Sequence, residues 1–377
     1  MKKLRIAMFM SSHPIQAGGV QEHVLYLSKE LRRNGHTVTI FGPKPKKNKY
    51  THYKVMGEKV YFPLPNGHQS NIHILGEFDK PEEVFTKKKF DILHIHEPYI
   101  PFAAWNVLEN STIPIVGTFH TVWDNESMLN ILNSFIPLLK DKFSSYTHGA
   151  IFVSKITFEK WRSMCAQKMV KHIIPNAVDT SLFEPKNTIN KTVKLLFVAR
   201  LIHRKGLFPL LRAINILKER GLNFSLTIIG DGDEKKYNLN YIKEKKLKKY
   251  VHYLGEIRGE KRAQYFKESD IFCAPYVNEA SSISVLEAVS SGLPIVGYKI
   301  PLFSDLLKDY PGKEFLVEKT DFALAHALEI AIQNPSSIQT LKKWCLEKRE
   351  SFSWTTVAKQ TEDLYYQVIH AYEKNHI

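Results

Sequence analysis

Two glutamates in the second half of the sequence, Glu279 and Glu287, are separated by seven residues that are all small or apolar. Glu287 stands inside a predicted helix, where its carboxylate can accept hydrogen bonds from a vicinal diol such as a nucleotide ribose. Glu279 lies in the loop before that helix, in a position to hold a second polyol. Solvated glutamates are the alternative, but the apolar setting favours two acids that face a ligand.

Two cations, Arg200 and Lys205, follow a predicted strand in the segment VARLIHRKG. An arginine can bind two phosphate oxygens at once, whereas a lysine supplies a point charge beside a leaving group. Because both side chains follow the carboxyl end of a strand, they can converge on one diphosphate. Two surface cations of a basic protein are the alternative. Together with two polyol-binding glutamates, the pair predicts a nucleotide-sugar site.

Glycines mark two further loops at predicted strand ends. Gly18 and Gly19 immediately precede a helix, where missing side chains let a ligand approach and free amides attract an anion. A plain turn is the alternative reading. The segment GDGD, which begins at Gly230, lacks the spacing of a GxGxxG dinucleotide fingerprint.

The elements that must position these residues are short β-branched runs that alternate with longer amphipathic stretches, which is typical of an α/β fold with parallel sheets. One series begins with RIAMFM and a second begins with VKLLFVA. We therefore predict two doubly wound domains, residues 1–187 and 192–353, with ligands at the carboxyl ends of the strands. The tail, residues 354–377, is predicted to form one amphipathic helix.

Composition supports two folded domains in a reducing compartment. A chain of 377 residues with 44% hydrophobic residues is too long for one compact core. The three cysteines are isolated and show no metal-ligand spacing, which indicates buried thiols. No apolar run approaches the roughly 20 residues that cross a bilayer, and the first one is too short for a signal sequence. We expect a cytoplasmic protein, either free or peripheral on the inner face of the membrane.

The formal net charge of +15 points to a polyanionic partner: nucleic acid, an anionic membrane, or nucleotide and phosphate groups. The lysines cluster in PKPKKNK, TKKKF and IKEKKLKKY. Each cluster can also be a solvated loop or helix face. RNA-binding modules usually interleave aromatic residues with their cations, and no such motif is present. We therefore expect no nucleic-acid partner.

The order of the motifs resembles that of family 4 retaining glycosyltransferases of the GT-B fold. The matching segments are GGVQEHVLYLSKELRRNGHTV, DILHIHEPYIP, GTFHT, IPNAVD, ARLIHRKG, GDG, DIFCAP and the E-x7-E pair. They cover nearly the whole chain. Within the family, the GGVQ loop, the HxHEP strand end and TFHT are similar to those of phosphatidylinositol mannosyltransferases. The resemblance implies a donor-binding second domain, an acceptor-side first domain, an interdomain cleft and a crossover of helix 354–377 onto the first domain.

The resemblance also implies a role for each site residue. The implied catalytic residues are His120, Arg200, Lys205 and Glu279. The implied donor contacts are Gly18, Gly19, Arg200, Lys205, Gly230, Ile257, Glu279, Ser282, Ile283 and Glu287. The implied acceptor contacts are Gln21 and Asn66. In this scheme His120 touches the donor sugar near the reacting carbon, and the base is recognised through backbone groups at 255–258.

The implied mechanism is front-face substitution without a metal. A double displacement needs a carboxylate nucleophile near the anomeric carbon, and both motif carboxylates are assigned to hydroxyl groups. The diphosphate would be the leaving group, with its charge stabilised by Arg200 and Lys205, and it would help to deprotonate the acceptor hydroxyl. No cofactor or metal is expected, because two cations take the place of Mg²⁺ and no DxD-like cluster is present. His94 and His96 lack a third ligand, so we interpret them as structural.

Departures from the family pattern leave the substrates open. The chain has Ser281-Ser282 where the family commonly has Phe-Gly, and Ala177 where PNGVD has glycine. The donor is therefore predicted only as a GDP-mannose or UDP-glucose type. The net charge of +15, the cluster Lys87-Lys88-Lys89 and the resemblance to enzymes that glycosylate a membrane lipid favour a membrane phospholipid or glycolipid as acceptor.

Three alternatives remain open from the sequence. A soluble polyol or oligosaccharide is the alternative acceptor. A nucleotide-sugar epimerase on the same scaffold would bind the diphosphate but need no acceptor. A nucleic-acid-binding protein would explain the charge but not the E-x7-E pair.

Overall fold

The computed structural model divides the chain into two compact units. It describes residues 2–11, 19–45, 51–63, 69–120, 138, 140–186 and 190–375, with the backbone alone at 62–63, 69–72 and 375. The first unit comprises Met1–Asn176 and Trp354–Ile377, and the second comprises Ala177–Ser353. The boundary therefore lies earlier than the predicted 187–192. The backbone N–H of Val178 donates to the carbonyl of Phe352 at 2.9 Å, which ties the segment after Ala177 to the second unit.

The first unit is built on a seven-stranded parallel sheet. Its strands are β1 (Arg5–Met10), β2 (Thr37–Gly42), β3 (Tyr53–Val55), β6 (Ile92–His96), β7 (Ile115–Phe119), β8 (Gly149–Phe152) and β9 (Val170–Ile173). They lie in the order β3-β2-β1-β6-β7-β8-β9. A separate antiparallel hairpin, which the sequence did not reveal, pairs β4 (Glu58–Pro63) with β5 (Gln69–Ile74).

Helices cover the sheet of the first unit. They are α1 (Gly19–Arg33), α2 (Pro81–Val84), α3 (Ala103–Glu109), α4 (Lys155–Trp161), a 3-10 turn at Arg162–Met164 and a terminal helix at Trp354–Asn375. The apolar residues that predicted α1, such as Val24, Leu27 and Leu31, are fully buried. Gly35 follows α1 with a φ of 91°, a left-handed conformation that suits glycine after a helix.

The second unit contains a six-stranded parallel sheet. Its strands are β10 (Val193–Val198), β11 (Phe224–Ile229), β12 (Val251–Tyr253), β13 (Ile271–Ala274), β14 (Ile295–Tyr298) and β15 (Leu316–Val317). They lie in the order β12-β11-β10-β13-β14-β15. Its helices are α5 (Leu207–Glu219), α6 (Lys235–Glu244), α7 (Gly259–Glu268), α8 (Ile283–Ser290), α9 (Pro301–Leu306), α10 (Asp321–Gln333) and α11 (Pro335–Lys348). Short 3-10 turns occupy His203–Lys205, Lys313–Phe315 and Arg349–Phe352.

Both sheets confirm the predicted doubly wound α/β class, and each strand order reverses at one point. The reversal lies between β1 and β6 in the first unit and between β10 and β13 in the second. Ligands of such sheets bind outside the carboxyl ends of the strands at this switch point. The loops after β10 and β13, and those after β6 and β7, are therefore the places where site residues are expected.

Across the helices that the structure describes, none is both long enough and apolar enough to cross a bilayer.

Candidate active site

The loops after β10 and β13 approach each other closely in the second unit. Gly206 has a φ of 70°, and a Cβ atom at this position would overlap the carbonyl oxygen of Pro275. The backbone N–H of Val277 also donates to the carbonyl of Arg204 at 2.9 Å. A glycine is needed here because no side chain fits between the loops. The approach brings Lys205, in the turn before α5, against the segment after β13.

Lys205 and Glu279 form a buried ion pair. The Lys205 ammonium contacts Glu279 Oε2, and their side chains are 12% and 8% exposed. Arg204 Nη1 donates to the same oxygen at 2.9 Å. Burial lowers the pKa of Lys205, while the neighbouring Glu279 carboxylate opposes this effect. The carboxylate thus balances two cations that have been partly removed from water, a state that another anion can also stabilise.

The Lys205 ammonium packs over the face of the Tyr276 ring. The Lys205 Nζ atom lies 4.5 Å from the centroid of this fully buried ring. The Tyr276 hydroxyl lies 3.0 Å from Ser284 Oγ and accepts a hydrogen bond from Ser282 Oγ at 3.3 Å. Burial raises the pKa of the Tyr276 phenol, so the hydroxyl stays protonated. Sequence reasoning missed Tyr276, although its position directly after β13 was a signal.

Glu287 is held by a partner from another helix. It lies within α8, only 2% exposed, and its Oε1 atom accepts a hydrogen bond from Arg262 on α7. The alternative of two solvated glutamates is therefore wrong, because Glu279 and Glu287 are both buried. Sequence reasoning missed Arg262, which lies 25 positions before its partner.

The other predicted donor residues lie around this cluster. Arg200 is exposed just after β10, and its charge is among the causes that lower the pKa of Lys205. Ser282 is buried immediately before Ile283, the first residue of α8. Gly230, with a φ of 139°, follows β11, and its N–H donates to the carbonyl of Gly255 at 2.8 Å.

Gly230 and Ile257 belong to the neighbouring loops rather than to the ion-pair cluster. A Cβ atom at Gly230 would overlap the carbonyl oxygen of Ala199, so this glycine allows its loop to approach the residue before Arg200. Ile257 is half-buried in the segment between β12 and α7. By contrast, Lys205, Glu279 and Ser282 do lie together: Lys205 contacts Glu279 and the Tyr276 ring, and Ser282 donates to the Tyr276 hydroxyl.

In the first unit, the described part of the predicted site lies on α1 and at the ends of β6 and β7. Gly19 begins α1 and is exposed, whereas Gln21 in its first turn is buried. Gly18 and Asn66 lie outside the described residues. His120 directly follows β7 and is buried.

His94 has both ring nitrogens engaged within the first unit. Its Nδ1 atom lies 2.6 Å from the hydroxyl of Tyr365 on the terminal helix. Its Nε2 atom lies 2.6 Å from Thr118 Oγ1 on β7. Burial lowers the pKa of His94 to about 3, so the ring is neutral. These contacts give His94 the structural role that we predicted.

His96 and His120 meet a third imidazole, His23 of α1, which sequence reasoning missed. One nitrogen of each of the three rings lies within 4.8 Å of the others. His96 Nδ1 is 3.0 Å from His120 Nε2, and His23 Nδ1 is 2.9 Å from Asn176 Oδ1. Burial lowers the pKa of His23 to about 4 and keeps those of His96 and His120 well below normal. The sequence interpretation paired His96 with His94, whereas in the structure the imidazoles of His23 and His120 lie close to the His96 ring.

Comparison with known proteins identifies the two halves of the chain. Residues 17–182 match the model of Glycosyltransferase Family 4, and residues 179–350 match that of Glycosyl transferases group 1. Phosphatidyl-myo-inositol mannosyltransferase of Mycolicibacterium smegmatis is 28% identical over 359 residues, which cover 92% of this chain and 90% of that protein. Alpha-monoglucosyldiacylglycerol synthase of Acholeplasma laidlawii is 23% identical over 396 residues, which cover 97% of this chain and 98% of that protein.

Solved structures show the same fold at lower identity. HepE of Anabaena in complex with UDP has a TM-score of 0.75 at 14% identity, covering 96% of this chain and 100% of that one. Sucrose-phosphate synthase of Thermosynechococcus elongatus has a TM-score of 0.73 at 18% identity, covering 97% and 100%. These structures and the two sheets show the GT-B fold. The two family models and the relatives show that the chain is a glycosyltransferase in which a Family 4 domain precedes a group 1 domain.

Proposed function

We propose that the protein transfers a hexose, with retention of configuration, from a nucleotide-diphosphate sugar to a hydroxyl group of a membrane lipid. The observation that carries the donor half of this proposal is the buried Lys205–Glu279 pair. A lysine that has left water needs an anion beside it. The carboxylate supplies that anion here, and the donor diphosphate supplies it when the substrate binds.

Replacement of one anion by another explains the charged groups of this cluster. When the phosphate oxygens of the donor bind Lys205 and Arg200, they replace the Glu279 carboxylate as the partner of Lys205. The carboxylate then becomes available to sugar hydroxyls. Glu287, oriented by Arg262, accepts hydrogen bonds from the ribose diol. Ser282 and Ile283 stand at the start of α8, where backbone amides lack helical partners and attract an anion.

The proposed reaction is a front-face substitution that needs no metal. The bond between the anomeric carbon and the diphosphate oxygen breaks, and the acceptor oxygen bonds to the same face of that carbon. The proton of the acceptor hydroxyl passes to the departing phosphate oxygen. Lys205 and Arg200 stabilise the negative charge that develops on this leaving group.

The lipid acceptor is supported by the relatives and by the surface of the first unit. The names of both reported relatives contain a lipid, phosphatidyl-myo-inositol in one and diacylglycerol in the other. Lys87, Lys88 and Lys89 are exposed just before β6, at the amino end of that strand. Phe78 lines the same surface cleft as Lys89 and is 93% exposed. Cations beside an exposed aromatic ring suit an anionic membrane surface.

The test is transfer by the purified protein with UDP- and GDP-hexoses, with phosphatidylinositol or diacylglycerol in vesicles as acceptor. We expect a lipid glycoside with the anomeric configuration of the donor by NMR, formed also in the presence of a chelator. Lys205→Ala and Arg200→Ala should each lower kcat/KM about 100-fold or more, because each removes a stabilising charge from the leaving group. Arg220→Ala is the matched control. Arg220 follows the last residue of α5, at the opposite end of this helix from Lys205, and forms an ion pair with Glu329.

Three results would contradict the proposal. A product of inverted configuration excludes front-face substitution. Conversion of the donor sugar without any acceptor indicates an epimerase, and glycosylation of soluble polyols alone removes the lipid acceptor. Normal turnover by Lys205→Ala would remove the assignment of the diphosphate to this cluster.

A further inference from the structure

We propose that His23, His96 and His120 form a binding site for a divalent transition-metal ion such as Zn²⁺. Imidazole nitrogens suit Zn²⁺, Cu²⁺ and Ni²⁺, whereas Mg²⁺ and Ca²⁺ prefer oxygen ligands. All three histidines belong to the first unit, whereas the Lys205–Glu279 pair belongs to the second. Nothing in the proposed transfer reaction requires this ion.

The three rings are spaced for a common ion. Their centroids are 4.7 Å apart for His23 and His120, 5.4 Å for His96 and His120, and 5.6 Å for His23 and His96. Tetrahedral Zn²⁺, with bonds of about 2.0–2.1 Å, separates its ligand nitrogens by about 3.3 Å. One pair, His96 Nδ1 and His120 Nε2, lies 3.0 Å apart. Nitrogens that lie within 4.8 Å need to approach by at most about 1.5 Å to reach that spacing.

The hydrogen bonds leave lone pairs available for a metal. With the Asn176 amide oriented as it is, its oxygen accepts from His23 Nδ1 at 2.9 Å, so the lone pair of His23 lies on Nε2. Such a partner behind a histidine ligand is the usual arrangement in metal sites. One nitrogen of the 3.0 Å contact between His96 Nδ1 and His120 Nε2 carries a proton, which must move to the other nitrogen of its ring before both can bind the ion. His96 Nε2 can take that proton, because it is buried and makes no hydrogen bond to any residue that the structure describes.

Charge determines what else the ion would bind. A histidine binds a metal as the neutral imidazole, so three histidine ligands do not cancel the charge of a divalent ion. Three neutral nitrogens with an open fourth position make a site that also takes water or an anion.

Two neighbours of the cluster are useful in testing the proposal. His94 stacks on His96 at 4.1 Å, but both of its nitrogens already have partners, so it is not expected to be a ligand. Trp354 meets the edge of His23, with the ring centroids 5.2 Å apart, and it therefore reports on a metal bound there.

Metal binding has one consequence for transfer, which depends on the proposed function. An ion held by His120 occupies the ring that the family resemblance assigns to the donor sugar. We therefore expect Zn²⁺ to inhibit transfer. The binding itself is measured without a donor, so failure of the transfer proposal leaves it testable.

The experiment is titration of the chelator-treated protein with Zn²⁺ by calorimetry and with Co²⁺ by visible absorption. We expect one ion per chain and the intense bands of four-coordinate Co²⁺. His23→Gln, His96→Gln and His120→Gln should each weaken Zn²⁺ binding at least 10-fold. Asn176→Ala should weaken it about 10- to 100-fold, because a partner behind a ligand tunes the metal without touching it. The matched controls are His203→Gln and His326→Gln, two exposed histidines of the second unit that should bind Zn²⁺ as the unaltered protein does.

A second measurement uses proteins that keep all three histidines, so it does not depend on whether the histidine variants fold. We expect Cu²⁺ to quench the fluorescence of the unaltered protein more strongly than that of Trp354→Phe. A six-coordinate Co²⁺ spectrum, no bound Zn²⁺, or equal quenching in both proteins would overturn the proposal. Loss of binding in the His203 or His326 variant would also overturn it, because the ion would then lie at the surface.

Discussion

At the scale of single residues, Lys205 shows how a cation can be held out of water by one carboxylate and one aromatic ring. Its ammonium lies between the Glu279 carboxylate and the face of the Tyr276 ring. The carboxylate offsets the loss of hydration, and the ring adds attraction through its negative face. The hydroxyl groups of Ser282 and Ser284 in turn hold the phenol of Tyr276. The fully buried ring therefore positions Lys205.

This arrangement predicts that the ring of Tyr276 matters more than its hydroxyl. Tyr276→Leu removes the attraction to Lys205 and should lower kcat/KM about 10- to 30-fold, since a desolvated cation–π contact is worth up to about 2 kcal/mol. Tyr276→Phe keeps the ring and should lose less than about 3-fold, a range consistent with the loss of one weak hydrogen bond. The measurement is steady-state kinetics with the hexose donor varied.

A control separates positioning from general damage. Thermal unfolding of both variants reports the cost of altering a fully buried side chain. If Tyr276→Phe loses as much activity as Tyr276→Leu, the hydroxyl network rather than the ring positions Lys205. Wild-type kinetics for Tyr276→Leu would show that the ring has no such role.

The positions of residues that follow a strand directly in sequence were predictable, whereas their contacts with residues of other elements were not. Arg200, Lys205 and Glu279 stand beside strands that the sequence reveals, so their placement at strand ends followed from pattern alone. Arg262 supports Glu287 from a different helix. His23 reaches His96 and His120 across more than 70 positions, and no local pattern records that approach.

At the scale of elements, long regular patterns were predictable, whereas the edge strands β3 and β15 were not. The runs that became β1 and β10 each have five apolar residues out of six, and α1 keeps its helical spacing until Gly35. The strands at the sheet edges, β3 with three residues and β15 with two, are too short to show a period. Their pairing depends on tertiary neighbours rather than on local preference.

The terminal helix fits the sheet of the first unit through a contact that only glycine allows. A Cβ atom at Gly149 of β8 would lie 2.5 Å from Val368 Cγ2. The same helix places the Tyr365 hydroxyl 2.6 Å from His94 Nδ1. The approach of helix and strand therefore depends on a position without a side chain.

This contact predicts a rescue between two substitutions. Gly149→Ala should lower the unfolding free energy of the first unit by about 1–3 kcal/mol, as overpacking does in a filled core. In a Val368→Ala background, the same change should cost much less, because the methyl group that it meets is gone. Urea unfolding of the four proteins measures the coupling. An equal cost in both backgrounds would show that Val368 is not the obstacle.

At the scale of the whole molecule, the net charge of +15 is spread over several lysine clusters rather than one. Lys87, Lys88 and Lys89 are exposed in the first unit, and Lys243, Lys248 and Lys249 are exposed in the second. Each lysine near an anionic bilayer contributes about 1 kcal/mol of attraction. If net charge alone governed membrane binding, either cluster would serve. If the surface of the first unit is the docking face, only its own cluster matters.

We predict that only the first cluster governs binding to anionic vesicles. Changing Lys87, Lys88 and Lys89 to Glu should weaken co-sedimentation with phosphatidylglycerol vesicles at least 100-fold, because three attractions of about 1 kcal/mol are lost and reversed. Changing Lys243, Lys248 and Lys249 to Glu lowers the formal net charge from +15 by the same six and should have a small effect. Lys89 Nζ also donates to the carbonyl of Glu83 at 2.7 Å, so thermal unfolding must confirm that the first variant is folded.

Binding should weaken with salt and be absent on zwitterionic vesicles. Equal losses in the two variants would assign binding to net charge alone, and no binding by the unaltered protein at low salt would remove the membrane surface as a partner while leaving sugar transfer intact.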